Sequence, residues 1–325
     1  MAEYINIRGQ NIEVVASDPA NPTIGQIWYN STSNTLKGLG YQSESWASGG
    51  NLNTGRTELS GAGTQTAALA FAGELPPNTA ATEEYNGTAW TSVNPLPSAS
   101  RDRAGSGTQT AALSAGGTLY PPGSTPTTAL EYDGTSWANG GTFSVARYFN
   151  SQCGIQTAAL IFAGNTFPAP SITTATEEWD GSSWTTAGAL PAAKSVATAA
   201  GIQTAALCIG GTLTGGSVTA ATEEYNGATW TAGTAIPAAS YAGASAGTQT
   251  SALYMGGTPT TTSAILWNGI SWSSAATMPV AHHYSAAGTD AAPSTAAWVA
   301  GGSGSITSTL VYTGAGPATK TITAS

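Results

Sequence analysis

Short runs of small apolar residues alternate with polar turn residues along most of the chain, and the pattern recurs. GTQTAAL begins at Gly63 and Gly107, GIQTAAL at Gly154 and Gly201, GTQTSAL at Gly247, and a degenerate GTDAAPSTAAW at Gly288. The steps are 44, 47, 47, 46 and 41 residues. Four-stranded propeller blades have this length. Between these turns falls an aromatic followed five residues on by tryptophan: Tyr85/Trp90, Tyr132/Trp137, Trp179/Trp184, Tyr225/Trp230 and Trp267/Trp272. Asn-Gly or Asp-Gly follows the first aromatic every time, which predicts a type I′ hairpin. Each unit therefore reads as strand a (RDRAGSG), strand b (TAALSAGG), a variable loop, strand c (TALEYDG) and strand d (SWANGG). The expected fold is all-β, a six-bladed β-propeller.

An Arg-led first strand, a Gly-Gly ending the second, and Tyr and Trp flanking a hairpin resemble the kelch repeat over roughly residues 41–315. Gly-Gly is intact at Gly116-Gly117, Gly210-Gly211, Gly256-Gly257 and Gly301-Gly302, and becomes Ala-Gly at Ala72-Gly73 and Ala163-Gly164. The sixth unit lacks its tryptophan after Tyr312, while a spare marker stands upstream at Tyr41/Trp46. Residues near 41–50 are thus expected to supply the outer strand of the last blade, with the C-terminal TKTITA as competitor. The repeat core would be Trp46, Trp90, Trp137, Trp184, Trp230 and Trp272.

Residues 1–40 read as a separate segment of two short β-hairpins, INIRGQNIEVV and IGQIWYNSTSNTLKG, joined by SDPANP; residues 41–325 make the propeller. GQIWYNSTSNTLKG is similar to a segment near the N-termini of tailed-phage virion proteins. TEEYNGTAWT and GTQTAAL are similar to the kelch-like repeats of marine phage structural proteins. The resemblance implies a virion structural protein, tail-associated or on the capsid surface. It would be assembled in the host cytoplasm, multimeric on the particle, and docked to other virion proteins through its N-terminal segment.

Charge narrows the partners. Only 8% of residues are charged and the net charge is −9, so Lys and Arg are too few to track a phosphate backbone. No stretch approaches the ~18 apolar residues of a membrane span, and no signal peptide is visible at the start. Cys153 and Cys208 fall at different positions of neighbouring units and read as free, buried thiols. The start of strand a carries Arg56, Arg101, Arg147, Lys194, Ser240 and Ala281, and the position before the strand-c aromatic carries Glu84, Glu131, Glu178, Glu224, Leu266 and Val311. The same four blades hold both charges, which favours structural ion pairs over a basic ring for an anionic ligand.

Catalytic candidates are few. His282 and His283 are the only histidines; adjacent on a strand, they face opposite ways and cannot share a metal. The doublets Glu83-Glu84, Glu177-Glu178 and Glu223-Glu224 recur in equivalent units and split across strand faces for the same reason. No enzyme activity, cofactor or metal is expected. The loops between strands b and c vary in length and present aromatics, notably Tyr120 and Phe167, among Thr, Pro and Gly. Variable loops on a rigid ring are where recognition concentrates, and aromatics among hydroxyls suit a host-surface glycan. The alternative is a carbohydrate-active enzyme, a polysaccharide depolymerase or lectin-like hydrolase, which an acid cluster at the mouth of the ring would favour.

Overall fold

The computed structural model describes residues 12–120, 123–168, 171–288 and 294–322. All its regular elements are strands, and the chain divides into two compact units, Met1–Ser45 with Gly314–Ser325, and Trp46–Thr313. The boundary differs from the one expected near residue 40 because the C-terminal strand leaves the repeats. Gly316–Ile322 pairs antiparallel with Thr35–Gln42, from Leu36↔Ile322 to Gln42↔Gly316.

In the smaller unit the hairpin Ile27–Asn30/Thr35–Gln42 forms as its sequence predicts. Most of the other expected hairpin lies in residues 1–11, outside the described residues; its described end, Glu13–Val15, runs parallel to Ile27–Asn30. Asp18, in the SDPANP link, ties this sheet together. Its carboxylate meets Lys37 Nζ at 2.7 Å and accepts from Asn30 Nδ2 at 2.7 Å and Trp28 Nε1 at 3.0 Å. The Lys37 bond first, then the two neutral donors, hold the Asp18 carboxyl down to about 2.

The larger unit has a propeller-like all-β fold. Its described residues form six four-stranded antiparallel sheets, numbered here in order of their first strand. Sheet 1 is Ser60–Thr64, Ala67–Phe71, Thr82–Tyr85, Trp90–Val93; sheet 2 is Ser100–Thr108, Ala111–Leu119, Thr128–Tyr132, Trp137–Thr142. Sheet 3 is Ser151–Ile155, Ala158–Phe162, Thr176–Trp179, Trp184–Thr186; sheet 4 is Thr198–Ile202, Ala205–Ile209, Thr222–Tyr225, Trp230–Ala232. Sheet 5 is Ala244–Thr248, Ser251–Met255, Ala264–Trp267, Trp272–Ser274; sheet 6 is Ala286–Ala287, Ala296–Ala300, Thr309–Thr313 and, from upstream, Ser45–Ser48. Trp46 on that upstream strand donates to the Ala276 carbonyl at 2.7 Å and its ring lies 5.0 Å from Tyr312. Sheet 6 thus takes its aromatic pair from opposite ends of the chain.

The turn before each tryptophan differs from the type I′ expected. Tyr85 pairs with Trp90, leaving four residues in the loop, and only Gly87 takes positive φ, +88°. Asn86 Oδ1 instead accepts from the amides of Thr88 and Ala89 at 3.0 and 2.9 Å, an Asx turn that uses the side chain to close the loop.

The repeated glutamine explains why the a–b turn recurs so faithfully. Gln109 Nε2 donates to the carbonyls of Ala68 and Tyr85 in the preceding sheet, at 2.9 and 2.7 Å. Gln156, Gln203 and Gln249 make the same pair of bonds to sheets 2, 3 and 4. Gln65 reaches the Tyr312 carbonyl of sheet 6. Tryptophans add a second tie: Trp137, Trp230 and Trp90 donate to Thr82, Thr176 and Thr309 of the preceding sheet at 3.1, 3.0 and 2.9 Å. Sheets 2 and 5 have Ala129 and Ala264 where the other four have threonine, and the Trp184 indole N–H, on the side of Ala129, is buried without a partner. Ala129→Thr should supply that acceptor and raise stability by ~1 kcal/mol in urea unfolding; a loss of stability would show that the site has no room for the hydroxyl.

Trp90, Trp137 and Trp230 are buried, whereas Trp46, Trp184 and Trp272 are only half-buried. Cys153 and Cys208 share one core cluster as free thiols. Burial pushes the Cys153 thiol up to about 12 and raises that of Cys208.

The first strands contact one another in cyclic order, and a ring of backbone bonds joins residues at or just before their N-terminal ends. Asp102 N–H donates to Glu58 O, Phe149 to Asp102, Val196 to Phe149, Ala242 to Val196, Tyr284 to Ala242, and Glu58 to Tyr284, at 2.9–3.1 Å. All six hold positive φ, between +52° and +58°, a conformation costly for residues with a Cβ. The closed ring of bonds offsets that strain.

Candidate functional site at the axial mouth

This ring supplies a structural alignment of the repeats, and it revises the expected ion pairs. The residue two before each ring member is Arg56, Ser100, Arg147, Lys194, Ser240 and His282. Arg101 and Ala281 therefore stand one place out of register: Arg101 lies six residues before Gly107, where the seat lies seven before it, and in the sixth unit the seat, His282, lies only six before Gly288. The carboxylate partners also differ. Arg56 pairs with Glu83, Arg147 with Glu177 and Lys194 with Glu223, the first carboxylate of each doublet rather than Glu84, Glu178 or Glu224. Strand alternation is the reason: Glu83 turns to the cation of its own sheet, while Glu84 and Glu178 face the next sheet and accept from Tyr132 Oη and Tyr225 Oη at 2.7 Å. Glu131 and Glu224 take part in no ion pair among the described residues. Burial raises the Glu131 carboxyl.

The corrected match is complete. Sheets without the carboxylate have Leu130, Ile265 or Leu310 in its place, and they have Ser100, Ser240 or His282 in the cation seat. The pairs are almost fully buried and further bonded: Arg147 Nη1 donates to Ala175 O at 2.8 Å, and Glu177 Oε2 accepts from Ser144 N–H at 2.7 Å. They brace each sheet and leave no charge for a ligand. His282 Nδ1 lies 2.8 Å from Gly301 O, while His283 Nδ1 faces Thr260 Oγ1 at 3.3 Å, so the two imidazoles have separate partners.

The ring itself gathers chemistry that the repeat pattern hides. On one side stand Glu58 and Asp102, with Arg101 between carboxylates: its Nη1 is 2.6 Å from Glu74 and 3.1 Å from Glu58, and its Nε is 3.5 Å from Asp102. Three carboxylates thus share one guanidinium. Burial, then the neighbouring Glu58 charge, pushes the Asp102 carboxyl up to about 9, and burial raises Glu58 as well. Near neutral pH the two therefore hold a proton between them.

The other side is aromatic. Phe149 and Tyr284 rings lie 5.8 Å apart, Tyr241 is 6.3 Å from Tyr284, and Tyr148 is 5.6 Å from Phe149. Phe149, Tyr241 and Tyr284 line a groove of about 530 Å³ with the hydroxyls of Ser171, Ser195 and Thr212. Tyr120 is exposed and lines a separate depression with Glu74, Pro76 and Arg101. Phe167 is exposed and lies outside both. Sequence reasoning missed Glu58, Asp102, Phe149, Tyr241 and Tyr284 because none repeats; for all but Tyr241 the one signal was the place two residues after the cation seat.

No protein-family model and no curated relative matches the chain. Among solved structures the chain is similar to that described as "Structure of YjhT", over 83% of this chain and 99% of that one, with a TM-score of 0.65 and 13% identity. Identity this low speaks for a common fold alone.

Proposed function

We propose that the six sheets are the blades of one six-bladed, kelch-like ring carried on a tailed-phage virion, and that its variable-loop face binds host-surface glycan without chemical turnover. The observation that carries the glycan reading is the groove beside the mouth, where Phe149, Tyr241 and Tyr284 stand among Ser and Thr hydroxyls. Aromatic faces take the apolar face of a sugar ring, and hydroxyls meet its edges. The six-residue backbone ring supports the blade count. Three large apolar side chains of the smaller unit, Val14, Ile24 and Tyr41, are exposed and available to a virion partner.

The acid pair favours the second reading, a carbohydrate-active enzyme. Its geometry argues otherwise. Glycoside hydrolases separate their carboxyls by ~5–9.5 Å to fit a nucleophile or water, whereas Glu58 and Asp102 contact one guanidinium and Asp102 is only 5% exposed.

Tyr284→Ala should weaken binding to a polysaccharide recognised by the intact chain by ~10-fold or more, from loss of one stacking platform, with no reducing ends released by either protein. Release of reducing ends that Asp102→Asn abolishes would establish the enzyme instead. For virion docking, residues 1–44 and 314–325 should be removed together, since deleting the first alone orphans Gly316–Ile322. The remaining ring, which keeps Trp46, should stay folded and fail to enter particles; normal incorporation would refute docking by that unit.

A further inference from the structure

Inside the mouth, the first strands of all six sheets surround an axial cavity of about 130 Å³, lined by Ser60, Arg103, Gln152, Thr198, Ser245 and Ala286 among others. A smaller space of about 100 Å³ adjoins it on the side of Glu58, Asp102, Phe149 and Tyr284, and Arg103 lines both. Arg103 differs from every other buried cation described. Arg56, Arg147 and Lys194 each meet a carboxylate. Arg103 is just 6% exposed, yet its guanidinium has only neutral partners, Ser114 Oγ at 2.7 Å through Nε and Ser114 O at 3.3 Å through Nη2. The two carboxylates nearest in sequence or along the wall, Asp102 and Glu58, are engaged with Arg101 and with each other.

A buried guanidinium without a counter-charge is unfavourable by several kcal/mol. The fold nevertheless makes room for it beside Gly117, where a Cβ would stand 2.4 Å from Arg103 Cγ. The surrounding wall is polar and incompletely satisfied. Asn150 Oδ1, Gln152 Oε1 and Ser285 Oγ are buried with no hydrogen-bond partner, and Asn150 and Ser285 line both spaces. Water solvates such carbonyl oxygens, but it does not neutralise Arg103.

We propose that the axial cavity binds a small monovalent anion, a halide, nitrate or short carboxylate, against the Arg103 guanidinium, with Ser285 Oγ as an added donor and water bridging to Asn150 and Gln152. The cavity is several times the ~30 Å³ that a water occupies in the liquid, which admits such an ion with waters and excludes a sugar. Entry runs past Glu58 and Asp102, whose shared proton lowers the negative charge on the way in. The bound ion joins the inner strands at the centre of the ring, independently of whether the outer face binds glycan.

The test is thermal unfolding of the full chain at pH 7 and constant ionic strength, exchanging gluconate, too large for the cavity, for chloride, nitrate or formate. A ligand at 100 times its Kd adds about 2.7 kcal/mol, which for a chain of this size is a saturable rise of about 3–5 °C. Arg103→Met should fold, since it removes an uncompensated buried charge, and should lose the response. Bromide diffused into crystals should give an anomalous peak within hydrogen-bond distance of Arg103. An unchanged anion response in Arg103→Met, no saturable response in the natural chain, or no peak beside Arg103 would each overturn the proposal.

Discussion

Glu177→Leu is expected to lower the free energy of unfolding by about 3–5 kcal/mol, because it leaves the buried Arg147 guanidinium without its counter-charge. Arg147 has no exposed surface, so water cannot replace the lost carboxylate. Adding Arg147→Met should restore a large part of the loss, since the side chain then buries only apolar atoms and keeps its packing on Phe143, over which Arg147 now lies at 5.9 Å. Restoration should be incomplete: the Ser144 amide and the Ala175 carbonyl lose partners, each worth ~1 kcal/mol. Sheets 2 and 5 show that the fold tolerates an uncharged solution, with Ser100 beside Leu130 and Ser240 beside Ile265. Urea midpoints of the two single variants and the double decide the matter. Losses that simply add would mean the pair has no coupling, and the bracing role would be withdrawn.

Asp102→Asn is expected to raise the melting temperature at pH 8 and to flatten its pH dependence. The Asp102 carboxyl rises from an ordinary value of 3.8 to about 9 on folding, so the folded chain binds the proton more tightly than the unfolded chain. Stability from this group is complete below pH ~4 and is lost progressively as pH climbs towards 9. Glu58 shifts in the same direction and adds to the slope. Asparagine imitates the protonated acid, donates to Glu58 through its amide, and accepts the φ of +58° that this ring position demands. The opposite dependence of Asp18, whose carboxyl is held down to about 2, falls below this window and does not mask it. Melting curves from pH 7.5 to 9, above the range in which burial of His282 and His283 gives the opposite slope, check the claim, and a natural chain whose stability rises over that range would contradict it.

Both effects depend on residues that the repeat pattern treats unequally. The spacing of GTQTAAL and of the Tyr–Trp marker made the strand order, the sheet length and the Trp46 closure legible, because every unit must place the same glutamine clamp and the same aromatic pair against its neighbour. The Arg–Glu pairing was half legible. That sheets with a cation also carry a carboxylate could be read from composition by unit, but the partner was misassigned by one residue, and one residue on a strand is the other face. The mouth was not legible. Glu58, Asp102, Phe149 and Tyr284 lie 44 or more residues apart by number and share only a backbone conformation.

The sequence alone therefore determined what is periodic: sheet after sheet, where the turns between strands fall, and which tryptophan completes the last sheet. Those features come from local side-chain patterns and from contacts that every unit repeats. Tertiary structure decided the rest. Ring closure brings the non-repeating residue of each unit to one axis, so the acid pair, the aromatic groove and the lone Arg103 arise from the sum of six different choices. It also sent Gly316–Ile322 to the N-terminal hairpin, because the strand Ser45–Ser48 already fills the edge of sheet 6.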